Sequence, residues 1–275
     1  MTVAVITVVA GRSTHLRRQL DGLARSTRVP DEHIVVAMGD PDVAETVAAT
    51  GSSARVVPME VGSGRLPVGE ARNLGARTAA SDLLVFLDVD CIPAPDLLER
   101  YVGAADRCPA ALLNGPVTYL REPGPEGYDL ARLREMIDPH PARPFPPDGE
   151  ITVNDAHELF WSLSFAARTI VWDRIGGFHT GYQGYGGEDT DFGQKAAQTG
   201  VPMAWVGGAH AFHQHHPVSN PPVEHLDDIL TNAVLFQRRW GWWPMRGWLD
   251  EFERMGLVEY DAAEGRWSRV ATPRP

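Results

Sequence analysis

The chain is poor in cysteine, in basic charge and in long apolar runs. Its 275 residues include two cysteines, Cys91 and Cys108, which supply neither a disulfide framework nor a zinc pattern. Reduced buried thiols in a cytosolic protein are the plain reading. The formal net charge is −11, which argues against nucleic acid, because a phosphate backbone needs a basic surface. Small anionic ligands stay open, since one metal ion or one local cation holds them. The opening stretch TVAVITVVAGRSTHLRR has an apolar run of nine residues, with no basic segment before it and no clear cleavage site after it. It is too short for a membrane span and poor as a signal peptide. Internal repeats and low-complexity tracts are also lacking. What is present is apolar residue in quantity, 43% of the chain. That is enough for the core of one large domain, or of one domain with a long insert.

The first half alternates strand and helix. TVAVITVV (residues 2–9) is short, β-branched and apolar on both faces, like a strand buried in a parallel sheet. Gly11 breaks it, and Ser13 or Thr14 then caps a helix through Leu16, Leu20 and Leu23. HIVVAM (33–38) is a second strand, closed by GDPD. PDVAETVAAT reads as a short helix ending at Gly51, ARVVPM as a weaker strand, and PVGEARNLGARTAA as a helix. DLLVFLDV is the strongest strand of all. This is the pattern of a doubly wound α/β domain, with a mostly parallel central sheet flanked by helices.

Near Arg121 the composition changes. Residues 121–150, REPGPEGYDLARLREMIDPHPARPFPPDGE, are crowded with proline and hold one short helix at about 128–137. So long an insert in a compact domain is a functional loop or a flap. Order resumes in ELFWSLSFAARTIVWDRIGGF. Residues 188–198 read as a helix, PMAWVGGAHAFHQHH as one or two strands, and VEHLDDILTNAVLFQRRWGWW as a long helix with a tryptophan-rich end. Residues 246–275 carry little pattern and read as a tail. Trp240, Trp242 and Trp243 have two possible places, against the domain or on a membrane surface. Gly241 and Pro244 interrupt any long amphipathic face, so packing is expected and stable membrane insertion is not.

Three clusters carry chemistry. The first is FLDVDCIPAPDLLE, where Asp88 and Asp90 close an apolar run. Ligands of open α/β sheets bind beyond the carboxyl ends of strands. If the strand continues, alternation sends both carboxylates to one side, where hard oxygen ligands suit Mg²⁺ or Mn²⁺. The alternative is a strand-end cap. The second is GGFHTGYQGYGGEDTDF, in which Gly186 and Gly187 lead into Glu188 and Asp189 at a helix start, where carboxylates are favoured as anions. Its alternative is a capping cluster that binds nothing. The third is HAFHQHHP, four histidines in seven residues. His213 and His215 share one face of a strand, and neutral imidazole is a common metal ligand.

Taken in order, these motifs resemble the GT-A nucleotide-sugar glycosyltransferases. The opening half is similar to family 2. DVDCIP and GGFHTGYQGYGGEDTDF resemble the β-1,4-galactosyltransferases and their C-terminal module. The resemblance covers about residues 3–222. It implies a metal, Mn²⁺ or Mg²⁺, bound directly by Asp90, with Asp88 on the ribose or reaching the metal through water. His213 completes the protein ligands, with His210, His215 and His216 as rivals, His215 being the second choice. Asp189 is the implied general base, and Glu188 holds the acceptor or orients the loop, with Gly187 beside the donor. Val9, Ala10, Arg12 and Asp40 bracket the nucleotide, and Arg72 lies near the phosphates. Tyr185, where the family commonly has tryptophan, and Trp161 face the acceptor.

The domain division that follows is a donor half (1–120), the insert (121–150), an acceptor and catalytic half of the same domain (151–245) and the tail (246–275). The expected reaction moves a sugar from a nucleoside diphosphate donor, UDP-linked, to an acceptor hydroxyl, with inversion and in the cytoplasm. The metal neutralises the leaving diphosphate and a carboxylate takes the acceptor proton. Two alternatives stand beside it. A nucleotidyltransferase on a related fold needs a glycine-rich phosphate loop after the first strand, where VVAGRSTHLRR offers one glycine. A non-catalytic nucleotide-sugar-binding protein would lack the metal aspartates or Asp189, and all are present.

Overall fold

Every residue of the first strand, β1 (Val3–Val9), is buried, six of them apolar and the seventh, Thr7, hydrogen-bonded through its hydroxyl. The computed structural model describes residues 1–62 and 64–270. Five alternating elements and a strand follow β1: α1 (Ser13–Leu23), β2 (Glu32–Met38), α2 (Asp42–Ala49), β3 (Arg55–Met59), α3 (Val68–Thr78) and β4 (Leu83–Leu87). The next stretch is β5 (Cys91–Pro93), α4 (Leu97–Arg107), β6 (Leu112–Asn114), β7 (Val117–Tyr119), β8 (Ile151–Asn154), β9 (Ser164–Arg168) and α5 (Thr169–Ile175). Last come α6 (Glu188–Gln198), β10 (Met203–Val206), β11 (Ala211–His213), α7 (Leu226–Trp240), α8 (Arg246–Arg254), β12 (Val258–Asp261) and β13 (Arg266–Arg269).

The central sheet has eight strands in the order β3-β2-β1-β4-β9-β6-β10-β8. β3, β2, β1 and β4 pair in parallel, whereas β9 runs antiparallel to β4 and β6. Helices cover both faces. On one, α1 and α2 bury Leu16, Leu20, Val43 and Val47 against Val9, Val35 and Ala37. On the other, α3 lays Ala71 against Val8, Ile34 and Val36. A second sheet, β5-β11-β7, stands at the carboxyl end of β4. It brings the histidine strand β11 alongside β5 in the register His213↔Cys91. Two distant sequence motifs are thereby placed side by side.

Three local expectations change. Helix α1 begins at Ser13, and neither Ser13 nor Thr14 caps it. Arg12 holds the cap position without a side-chain bond, its carbonyl already accepting the Leu16 N–H at 3.0 Å. The insert has no α-helix over 128–137, only a 3₁₀ turn at Leu133–Met136, because Pro139 and Pro141 close it. It is nonetheless held to the domain. Leu133 is buried, and Arg143 lies between the rings of Trp161 and Trp205, 5.2 and 4.9 Å from their centroids. The chain after residue 245 is more than a tail. Helix α8 and the β12–β13 hairpin enclose a small core of Leu249, Phe252, Val258 and Trp267 against Leu226, Ile229 and Ala233 of α7.

A buried carboxylate helps tie that appendage to the main domain, beside Asn232, which donates to the carbonyls of Gln183 and Tyr185, and Asp228, which pairs with Arg65. Asp191, in the first turn of α6, is fully buried. It accepts hydrogen bonds from Arg239 Nε at 2.6 Å, Trp240 Nε1 at 2.7 Å and the Tyr182 hydroxyl at 3.1 Å. Trp240 is thus a packing residue, Trp242 lies edge-on to Phe236 at 4.6 Å, and Trp243 packs against the small core. Among the described residues no helix is long and apolar enough to cross a membrane. Asp191→Ala should destabilise the protein by about 3 kcal/mol, the low end for breaking a buried pair, because Arg239 keeps access to water. Urea denaturation measures it, and a loss below about 1 kcal/mol would show that these bonds do not hold the appendage.

Candidate active site

The site begins where β4 stops. The strand ends at Leu87, and the Cys91 N–H donates to the Asp88 carbonyl at 2.8 Å, so residues 88–90 turn instead of extending. The two aspartates therefore part, and the expected alternation does not apply. A buried glutamine sets this turn. Gln19 of α1 donates from Nε2 to the carbonyls of Asp88 and Cys91 at 2.7 and 3.1 Å. Its Oε1 accepts from Thr7 Oγ1 of β1 at 2.8 Å. Nothing in the local pattern around Gln19 marks this role, because its partners lie far along the chain.

Asp88 faces Arg72. Arg72 Nη2 donates to Asp88 Oδ1 at 2.7 Å, and Nη1 lies 3.5 Å from Glu188 Oε1. The guanidinium is almost wholly buried and stacks over the ring of Phe178 at 5.1 Å. One cation of α3 thus joins the DVD turn to the glycine-rich turn. Burial raises the pKa of both Asp88 and Glu188 above the ordinary carboxylate range, against the pull of Arg72.

Asp90 faces the histidines. Its Oδ1 is 3.5 Å from His213 Nε2 and its Oδ2 3.6 Å from His216 Nε2. One ligand atom of each lies within 4.8 Å of the other two. Arg12 Nη1 also contacts Asp90 Oδ2. The histidine that joins His213 is His216, not His215. Strand β11 ends at His213, so the alternation that would pair 213 with 215 is lost. His215 is exposed, and its backbone N–H donates to the Tyr128 hydroxyl at 2.9 Å. His210 is held elsewhere, its Nε2 2.7 Å from Thr118 Oγ1. Asp88 also lies outside the group, bound to Arg72.

This set fits a divalent ion. It offers one carboxylate and two imidazoles, and Asp90 Oδ1 is buried without a hydrogen-bond partner. Separations near 3.5 Å are those of neighbouring ligands on one small cation. Burial, and then the Arg12 charge, hold His216 below its ordinary pKa, which leaves its lone pair free to bind metal.

Opposite stands the glycine-rich turn. Gly186 and Gly187 have φ of 88° and 90°, values that L side chains rarely adopt. They set Glu188 and Asp189 in the first turn of α6, where the helix dipole favours negative charge. Asp189 is half-buried, and its Oδ1 accepts from the Thr190 N–H at 2.7 Å. Burial, and then the neighbouring Glu188 charge, push its pKa up to about 7. Tyr185 stacks on His225 at 4.4 Å and 8°, at the rim beside Trp248. Trp161 lies edge-on to His140 at 5.0 Å. At the far end of the cleft, the Gly11 N–H donates to Asp40 at 2.7 Å. That bond joins the β1 end, Val9 and Ala10, to the β2 end.

Residues 4–159 match the model of glycosyl transferase family 2. The chain belongs to that family. Residues 155–217, which include the glycine-rich turn and the histidine strand, match the N-terminal domain of galactosyltransferase. Two curated relatives are validoxylamine A glucosyltransferases of Streptomyces hygroscopicus. The protein from subspecies limoneus is 28% identical over 263 residues, and that from subspecies jinggangensis 27%. Each alignment covers 86% of this chain but only 56% and 60% of the relatives' lengths. Among solved structures, GalNAc-T7 with UDP, GalNAc and Mn²⁺ has a TM-score of 0.60 at 18% identity, over 78% of this chain and 44% of that one. Staphylococcus aureus TarS (1–349) with UDP-GlcNAc has a TM-score of 0.60 at 14% identity, over 85% and 66%. These likenesses show the GT-A fold.

Arg72→Met keeps an unbranched apolar stem but removes the guanidinium, and so strands two buried carboxylates. It should lower stability at neutral pH by about 3–5 kcal/mol, the usual loss when one side of a buried ion pair is removed. At acid pH the loss should shrink, because burial already raises the pKa of Asp88 and Glu188 and protonation removes the charges that Arg72 offsets. An equal loss at both pH values would mean that Arg72 acts by packing alone.

Proposed function

We propose that the protein transfers a sugar from a nucleoside diphosphate sugar, UDP-linked, to an acceptor hydroxyl, with inversion. The observation that carries this reading is the pairing of a metal-ready cluster with a separate carboxylate. Asp90, His213 and His216 gather at one wall, and Asp189 stands at another with its pKa near neutrality. UDP with Mn²⁺ in GalNAc-T7 and UDP-GlcNAc in TarS, both on this fold, support the choice of donor. Asp90, His213 and His216 would hold Mn²⁺ or Mg²⁺, which supplies positive charge to the leaving diphosphate.

The residues then have distinct tasks. Val9, Ala10 and Asp40, at the ends of β1 and β2, border the nucleotide. Arg72 fixes Asp88 and Glu188, and Asp189 beside them has no arginine partner among the described residues. The acceptor oxygen attacks the anomeric carbon, the bond from that carbon to the diphosphate oxygen breaks, and the acceptor proton passes to Asp189. Tyr185 and Trp161, at the rim, border the acceptor. Gly187 keeps the backbone narrow where donor and acceptor meet. The oxygens of Asp191, two residues further on, are already occupied by Arg239, Trp240 and Tyr182, which favours Asp189 as the base.

Three measurements test this reading. Asp90→Ala should abolish the Mn²⁺-dependent part of UDP binding in calorimetry; unchanged affinity with and without chelator would remove Asp90 from the metal site. Asp189→Asn should bind donor nearly normally while transfer falls by roughly two to four orders of magnitude, the usual worth of general-base catalysis. Near-normal turnover would move the base elsewhere. The sign of the pH dependence follows from a raised carboxylate. Asp189 must be ionised to accept a proton, so kcat/KM should fall as the pH drops below about 7, or somewhat lower where bound metal favours the ionised form, and level off above it. A flat profile between pH 5 and 8 would contradict the assignment.

A further inference from the structure

Arg12 stands where a metal ligand set should face a metal. Its Nη1 pairs with Asp90 Oδ2, the oxygen that is also 3.6 Å from His216. A divalent ion held by Asp90 and both imidazoles takes up space beside that oxygen and competes with the guanidinium for it. Asp90 is the one carboxylate within ion-pair reach of Arg12 among the described residues. The backbone of Arg12 is fixed, since the Gly11 N–H donates to Asp40 at 2.7 Å and the Arg12 carbonyl accepts from Leu16 at 3.0 Å. Its side chain is 37% exposed, so the guanidinium is the part free to move.

We propose that Arg12 is an exchangeable counter-cation: it neutralises Asp90 until a divalent ion displaces it, and the displaced guanidinium then binds the diphosphate of the donor. The proposal rests on the metal reading above and adds to it a coupling between metal and donor. The ion draws the phosphates to the place that Arg12 has just left. A guanidinium freed there meets oxyanions whose geometry it matches in bidentate fashion. Metal binding alone must break the Arg12–Asp90 pair, whereas metal binding with the donor exchanges that pair for an Arg12–phosphate pair. Each ligand therefore raises the affinity of the other by one common factor. Arg12 is a positioning and binding residue in this account and takes no part in bond breaking.

The test is Mn²⁺ binding to the full chain, read from the paramagnetic resonance of free Mn²⁺, with and without UDP. Without UDP, Arg12→Gln should bind Mn²⁺ about tenfold more tightly than the parent, a factor within the usual range of coupling between sites. The gain in Mn²⁺ affinity on adding UDP should be about tenfold smaller in Arg12→Gln. Arg12→Lys, which keeps the charge but not the fork, should fall between. Thermal unfolding of each variant shows that it is folded. Equal Mn²⁺ affinities for parent and Arg12→Gln without UDP would overturn the exchange alone. So would an equal gain from UDP in both. Mn²⁺ binding that survives Asp90→Ala unchanged would instead overturn the metal assignment and the exchange with it.

Discussion

The cleft depends on one buried cation. Arg72 reaches Asp88 at 2.7 Å and Glu188 at 3.5 Å, and its own side chain is 4% exposed. Those carboxylates belong to two motifs a hundred residues apart in the chain, one at the end of β4 and one at the start of α6. Without the guanidinium between them, both would be buried like charges, and the two walls would repel. With it, the DVD turn and the glycine-rich turn are held at a fixed spacing. The spacing is then kept by bonds that do not touch the reacting groups. Gln19 fixes the turn from behind, and Asn73, beside Arg72 on α3, both donates to the Phe178 carbonyl and accepts from the Phe178 N–H at 2.8 Å.

This arrangement gives neighbouring acids different characters. Asp88 and Asp90 are two residues apart, yet one is bound by Arg72 and the other faces two imidazoles and Arg12. Glu188 and Asp189 are adjacent, yet Glu188 faces Arg72, and among the described residues no arginine lies within ion-pair distance of Asp189. Asp191, two residues on, is closed off by Arg239 and Trp240. At Asp88 and Asp90 a turn makes the separation possible, because an extended continuation would have kept both on one side; in α6 the rotation of the helix from one residue to the next points Glu188 and Asp189 in different directions.

The legible parts of the sequence were those whose physics is local. β1 and β4 are apolar on both faces because they are buried on both faces. Residues 188–198 read as a helix because a Gly-Gly pair and an acidic first turn mark its start, and α6 has those bounds. Contacts between distant segments were not legible. The Asp88/Asp90 pair was expected on one side because continuation of β4 was assumed, whereas the Asp88–Cys91 backbone bond ends it. His216 could not be preferred to His215 without knowing that β11 stops at His213. The C-terminal hairpin was missed because one buried side chain on each strand, Val258 and Trp267, gives too weak an alternation to detect. Gln19 and Arg72 carry their weight through partners that no window of sequence contains.

Charge balance links the buried clamp to the proposed chemistry. Asp88, Asp90, Glu188 and Asp189 are four carboxylates at one end of the cleft, and among the described residues Arg72 and Arg12 are the two guanidiniums that pair with members of that set. Two negative charges are left over when all four are ionised. The molecule answers this in part at Asp189, where burial and the Glu188 charge push the pKa up to about 7, so this carboxylate is not fully charged at neutral pH. A single divalent ion would balance the remainder, and it would find its ligands where burial has left Asp90 Oδ1 without a partner. The same ion would lower the cost of ionising Asp189, since added positive charge favours a carboxylate in its charged form. A cleft with this charge pattern is therefore least ready to take a proton when empty and most ready when metal is bound. That order suits a transferase whose acceptor should be activated only after the donor is in place.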